Sequence, residues 1–148
     1  MNQKSNPLED LKNVLKNKGM KYTEQRAIIL QILINLDAHL NAEEVHSIVK
    51  EEYPNQNIGI ATIYRTLNFL EEVDLISSIS LANVGKKYES HSKDQHHDHI
   101  ICTSCGKIVE FFDDEIEKRQ EDIALKNGFK ITDHTMQIFG VCGECNKK

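Results

Sequence analysis

Four cysteines stand in two C-x-x-C pairs, Cys102 with Cys105 and Cys142 with Cys145, with 36 residues between the pairs. Small and polar neighbours (Thr103, Ser104, Gly106, Gly143) let the backbone curl so that two sulfurs converge on one ion. Four thiolates suit a closed tetrahedral Zn²⁺ site, which is structural because no position is left open for a substrate. A thioredoxin-like redox pair is the alternative use of C-x-x-C, but that motif belongs in a βαβ setting absent here. A second group of potential ligands is His96-His97-Asp98-His99. On a strand successive side chains point to opposite sides, so His97 and His99 project one way and His96 and Asp98 the other. Imidazole with carboxylate suits Fe²⁺, Mn²⁺, Co²⁺, Ni²⁺ or Zn²⁺. The bland alternative is an exposed polar linker rich in histidine. Glu89, His39, His134, Glu110 and Glu117 are candidates to complete either set, and spacing alone does not choose among them.

The elements that must carry these residues divide near residue 91. Asn6-Pro7-Leu8-Glu9 reads as a helix start, followed by Leu8, Leu11 and Leu15 at helical spacing and Gly19 as a stop. Thr23 caps a second helix bearing Ile28, Ile29, Ile32 and Leu33. Asn41 and Glu44 form a capping box before Val45, Ile48 and Val49, and Tyr53-Pro54-Asn55 ends that helix. Residues 60–73 form a fourth helix, with Ile60, Ile63, Leu67 and Leu70 on the core face. Residues 76–81 alternate as a strand, Asn83-Val84-Gly85 turns, and Lys87-Tyr88-Glu89 begins the return. Helices followed by a β-hairpin make a winged helix-turn-helix whose recognition helix is residues 60–73. Its outward face offers Thr62, Arg65 and Asn68, with Tyr64 at the margin. Arginine can grip guanine O6 and N7, and tyrosine can touch a thymine methyl or a phosphate. The competing reading makes Arg65 an ordinary solvated residue; the hairpin favours DNA contact.

After residue 91 the pattern changes. Residues 99–102 and 107–112 read as strands around the first cysteine turn, residues 113–127 as a helix with an acidic first turn, and residues 129–141 as a long strand into the second pair. This makes a small α+β unit held by a zinc clip, of a size at which a metal staple makes physical sense. Burying a sheet edge in a dimer would add to it.

Composition narrows the classes further. The chain has 148 residues, 39% of them apolar, and a formal charge of −5. Residues 1–90 hold 10 basic and 12 acidic side chains, and residues 91–148 hold 8 and 11. Neither half is basic, so bulk charge cannot supply affinity for nucleic acid, and local cations such as Lys21, Arg65, Lys86 and Lys87 must. No apolar run approaches the roughly 20 residues of a membrane span, and the first residues carry no secretory h-region, so a cytoplasmic protein is expected.

Gly19-Met-Lys-Tyr-Thr-Glu-Gln-Arg26, His39-Leu-Asn-Ala-Glu-Glu44 and Gly59-Ile-Ala-Thr-Ile-Tyr-Arg-Thr-Leu67 occur in that order. Lys87-Tyr-Glu89, His96-His-Asp-His99, both cysteine pairs, Glu110-Phe111 and His134 complete the set. In this combination, which spans nearly the whole chain, the sequence resembles the ferric uptake regulator family of metal-dependent repressors. The resemblance implies an α+β protein with a winged-helix DNA-binding domain (residues 1–91) and a dimerisation and metal-binding domain (residues 92–148), with a hinge near Ser90 to Gln95. It implies structural zinc on Cys102, Cys105, Cys142 and Cys145, and a regulatory site of His39, Glu89, His97, His99 and Glu110. An additional site would be His96, Asp98, Glu117 and His134, and the DNA contacts Lys21, Tyr64 and Arg65.

The implied function is a homodimer whose binding to an operator on double-stranded DNA is promoted by Fe²⁺ at the hinge, repressing iron-uptake genes; Mn²⁺ or Zn²⁺ are possible substitutes. Whether higher oligomers form on DNA is left open. Peroxide-, zinc- and manganese-sensing members of the family are the alternatives. The peroxide sensors carry Asp where Glu110 stands, which favours iron. His91 is an extra candidate ligand, and His46 reads as structural or solvated. An enzyme would need an open metal with a positioned base, and no nucleophile signature accompanies one. A zinc-ribbon interaction module would leave the winged-helix half unexplained.

Overall fold

The structure, a computed structural model, describes residues 6–81, 85–91 and 96–147. The chain forms two compact units, Met1–Asp94 and Gln95–Lys148.

The first unit holds α1 (Pro7–Asn17), α2 (Glu24–Leu36), α3 (Ala42–Glu52), α4 (Ile60–Glu72), β1 (Ile76–Leu81) and β2 (Gly85–Ser90). Side chains close three helix starts. Asn6 accepts from the Leu8 amide, Thr23 from the Arg26 amide, and Asn41 and Glu44 exchange hydrogen bonds of 2.8 Å in a reciprocal capping box. These satisfy donors that a helix cannot pair internally. α4 lacks such a side-chain cap, since Gly59 precedes it. The apolar faces meet in one core: Leu11, Leu15, Ile29, Leu30, Leu33, Val45, Ile63, Leu67 and Leu70 are fully buried or nearly so, with Ile76 and Tyr88 closing it from the hairpin. Each such side chain contributes about 1.5–3 kcal/mol by leaving water. Ile60, expected on that face, is instead 37% exposed; it opens the helix, beyond the reach of the core, whereas Thr66 is buried at 4%.

β1 and β2 pair antiparallel, Ile76 with Ser90 through Leu81 with Gly85. The return strand thus begins at Gly85, two residues earlier than expected, because its left-handed φ of 84° ends the turn there. Asn83 and Val84 of the predicted turn, and residues 92–95 of the predicted hinge, lie outside the described residues. An isolated antiparallel bridge joins Leu40 to Tyr88, with hydrogen bonds of 3.0 and 2.8 Å between their backbones.

The second unit holds β3 (Asp98–Cys102), β4 (Ile108–Phe111), α5 (Asp114–Lys126) and β5 (Gln137–Gly140). The sheet order is β4-β3-β5, antiparallel on one side of β3 and parallel on the other. Asp113 caps α5 by accepting from the Glu115 and Ile116 amides, and Gly128, at φ 77°, ends it. The expected long strand over residues 129–141 shortens to Gln137–Gly140. A strand needs a partner to hold its ladder, and β3, its only partner among the described residues, has five residues. This unit has little core of its own. Ile101 and Cys102 are its only buried apolar residues among those described, and no residue of α5 is buried. No helix among the described residues is long and apolar enough to cross a membrane.

Candidate metal centres and nucleic-acid interface

The four cysteine sulfurs lie within 4.8 Å of one another. Cys102 ends β3, the turn after it returns through Gly106 (φ 77°, amide to the Cys102 carbonyl, 2.9 Å), and Cys142 follows β5. The Cys105 and Cys142 sulfurs are 3.8 Å apart, far beyond a disulfide bond. Sulfurs about 2.3 Å from a shared tetrahedral Zn²⁺ would stand about 3.8 Å apart, so this set fits the ion. Amides of Cys142 (3.3 Å) and Cys105 (3.5 Å) donate to the Cys102 sulfur. Those two bonds, Cys142 first, lower the Cys102 thiol to about 6, the thiolate a metal requires. Cys145 is pushed up to about 12, chiefly by its hydrogen bond with Cys142: without an ion, neighbouring sulfurs share protons.

A second cluster in this unit uses nitrogen and oxygen. His96 and Asp98, two apart, meet at 3.2 Å between Nε2 and Oδ1. Glu117 from the first turn of α5 lies 3.5 Å from His96 and 3.2 Å from His134, and the rings of His96 and His134 are 4.2 Å apart. Asp98 is 1% exposed, and its Oδ2 has no hydrogen-bond partner among the described residues. A buried carboxylate oxygen without a donor, among two imidazoles and a second carboxylate, fits a divalent cation.

The other predicted ligands fall into two groups. In the first unit the Leu40–Tyr88 bridge brings the preceding His39 beside the following Glu89, Nε2 to Oε2 at 2.9 Å. In the second unit His97 lies 3.5 Å from Glu110, its ring centroid is 4.9 Å from that of His99, and His99 pairs across the sheet with Glu110. His91 turns its Nδ1 to the Asp74 carbonyl at 2.8 Å, a link from the end of β2 to the turn after α4.

On α4, Tyr64 and Arg65 are exposed, as is Lys21 before α2. Arg65 donates to the Thr62 hydroxyl at 3.2 Å. Tyr64 donates its hydroxyl to Glu43 of α3 at 2.5 Å; that bond lowers the Glu43 carboxyl and raises the Tyr64 phenol. Two cations expected to face DNA are held by acids: Lys86 by Glu71 at 2.9 Å and Lys87 by Glu44 at 4.0 Å. Sequence reasoning missed Arg26, which lies 5.1 Å from the Phe69 ring, donates to the Lys21 carbonyl, and lines with Thr23, Gln25, Thr62, Arg65 and Thr66 a polar cleft of about 270 Å³. It also missed Glu43. No local signal marks either, since their partners lie on other elements or across a turn.

Four helices, among them a helix-turn-helix, and a two-stranded wing on one unit, with ligand clusters on the other, define a winged-helix regulator that can take metal. The family model described as the ferric uptake regulator family matches residues 17–139, and the chain belongs to that family, whose members regulate transcription. It is 49% identical over 141 residues to a ferric uptake regulation protein of Campylobacter jejuni, covering 95% of this chain and 89% of that protein. The solved ferric uptake regulator of Helicobacter pylori, described as having three functional metal binding sites, matches with a TM-score of 0.84 and 36% identity over 100% of this chain and 99% of that one. The Campylobacter jejuni peroxide stress regulator matches with a TM-score of 0.67 and 28% identity, over 95% and 100%.

Proposed function

We propose that this chain is a cytoplasmic, metal-responsive repressor that binds operator DNA as a homodimer when Fe²⁺ is available and so lowers expression of iron-uptake genes. Residues 1–91 bind DNA through Lys21, Tyr64 and Arg65, and residues 92–148 dimerise and hold metal. Cys102, Cys105, Cys142 and Cys145 take structural Zn²⁺. His39, Glu89, His97, His99 and Glu110 take the sensed ion, and His96, Asp98, Glu117 and His134 an additional one.

The observation that carries the reading is the His39–Glu89 pair at 2.9 Å, because it builds two ligands into the winged-helix unit itself. An ion held by these and by ligands of the second unit couples metal binding to the placing of two recognition helices on a two-fold operator. Homodimerisation is supported by Ile138 and Phe139 on the edge strand β5 and by Leu125 and Phe129 nearby in sequence, 43–71% exposed. Iron is supported by Glu110 and by the higher similarity to the ferric uptake regulator structure than to the peroxide regulator.

The test measures metal content, then DNA retardation with chelator, Fe²⁺, Mn²⁺, Zn²⁺ and Fe²⁺ plus peroxide. Replacing His97 and His99 with Ala is expected to keep one Zn²⁺ per chain and the fold while losing metal-dependent DNA binding. Unchanged metal-dependent binding by that variant overturns the assignment, and release by peroxide moves the protein to the peroxide-sensing branch.

A further inference from the structure

Tyr64 reaches DNA, on the reading above, in one of two ways: its hydroxyl on a phosphate or its ring on a thymine methyl. Its neighbours decide between them. A phenol has one proton to donate, and that of Tyr64 goes to Glu43 Oε1 at 2.5 Å, across 21 residues of sequence. Toward a phosphate the hydroxyl could then only accept, and a phosphate diester has no proton to give. The Glu43 carboxylate, in the first turn of α3 where the helix dipole favours negative charge, also repels phosphate. Tyr64 as a residue remains 42% exposed, on α4 next to Arg65.

We infer that Glu43 is a positioning residue for DNA reading: it ties down the Tyr64 hydroxyl so that the ring, and not the hydroxyl, meets DNA against a thymine methyl. The inference rests on the proposed DNA-binding role of α4. Glu43 itself touches no base. It fixes the tilt of a side chain that would otherwise turn about two torsions, and it steers that side chain from backbone contact to base reading.

The experiment uses the full-length, Mn²⁺-loaded protein and a duplex that this protein selects from a randomised pool, made once with thymine and once with uracil throughout. Uracil lacks only the methyl group. The unsubstituted protein is expected to bind the uracil duplex about fourfold more weakly for each methyl that its two Tyr64 rings cover, the worth of one buried carbon. Glu43→Ala is expected to bring that ratio close to one, and Glu43→Gln, whose amide oxygen still accepts from the phenol, to restore it. In a Tyr64→Phe background Glu43→Ala is expected to leave the uracil-to-thymine ratio unchanged. Equal binding of both duplexes by the unsubstituted protein, or a ratio retained in Glu43→Ala, overturns the inference. Arg65→Ala separates the two levels. If it weakens binding while the methyl ratio is absent, only the role of Glu43 fails; if it has no effect, the DNA face of α4 fails with it.

Discussion

Asp98 offers a substitution whose stabilising effect should shrink when metal binds. It is 1% exposed; one oxygen meets His96 at 3.2 Å and the other has no partner among the described residues. Glu117 places a second carboxylate oxygen within 4.8 Å of it. A buried polar group left unsatisfied costs about 1–3 kcal/mol, and a like charge nearby adds to that. Asp98→Asn removes the charge, keeps the acceptor for His96, and gives Glu117 an amide donor in the same cluster. The metal-free variant should therefore be more stable than its parent by about 1–3 kcal/mol, a rise in melting temperature of about 4–12 °C at about 4 °C per kcal/mol. Metal narrows the gap by about 1.3 kcal/mol or more. Mn²⁺ at a hundred times its dissociation constant stabilises the parent by about 2.7 kcal/mol. Removing even an outer-shell partner costs metal sites tenfold or more, so a lost anionic ligand leaves a gain below about 1.4 kcal/mol. The assay is thermal unfolding by circular dichroism, with and without Mn²⁺, in a His97→Ala, His99→Ala background so that only this cluster responds, with one Zn²⁺ per chain verified. A metal-free Asp98→Asn protein that melts below its parent, or one that gains as much from Mn²⁺, refutes the reasoning.

Two further outcomes follow from the cysteines and from the hairpin. Cys142→Ser should release zinc and, because Ile101 and Cys102 are the only buried apolar residues described in the second unit, expose the amides of β3, β4 and β5 to rapid hydrogen exchange while α2 and α4 stay protected. For Glu71, burial pushes the carboxyl up, but hydrogen bonds from Ser78 and Lys86 and the charge of Lys86 together hold it below its ordinary value. A depressed carboxyl stabilises the fold above the unfolded-state value and loses that contribution as pH falls through the folded one. Glu71→Gln should thus lower the urea midpoint at neutral pH, and the difference should shrink as pH drops below about 4 and through the folded value.

What was legible in the sequence was local. Asn6, Thr23 and the Asn41–Glu44 box announce their helices because cap and capped amide lie two or three residues apart. The two C-x-x-C pairs announce a shared ion because each pair is a single turn. The strand alternation that separates His97 and His99 from His96 and Asp98 is likewise a property of neighbouring residues. What was not legible depends on distant partners. The reach of β5 was set by the five residues of β3, and not by the strand-like run expected over residues 129–141. Lys86 and Lys87 looked like free cations until Glu71 and Glu44 came beside them. His39 and Glu89 are 50 positions apart, and only the Leu40–Tyr88 bridge explains why they touch.

The two kinds of ligand set differ in a way that suits two tasks. Soft thiolates in a closed set hold Zn²⁺ tightly enough to count as folding energy, so that set cannot report the metal supply. Imidazole and carboxylate sets bind divalent ions more reversibly, and a reversible set can switch something only through differential affinity. For the proposed sensing site the ligands divide two and three: His39 and Glu89 in the winged-helix unit, His97, His99 and Glu110 in the other. Moving an equilibrium from 1:99 to 99:1 needs about a 10⁴-fold preference, about 5.5 kcal/mol. Three ligands alone bind an ion without biasing the winged-helix unit at all, so the whole preference must come from adding His39 and Glu89. That asks about a hundredfold of each, about 2.7 kcal/mol, against the 2.9 Å contact they already make with each other. The pair is largely buried, its side chains 13% and 12% exposed, so drawing one member away would leave the other buried and unsatisfied, whereas an ion that ligates both leaves neither in that state. The pair therefore holds both ligands ready without competing seriously with the ion.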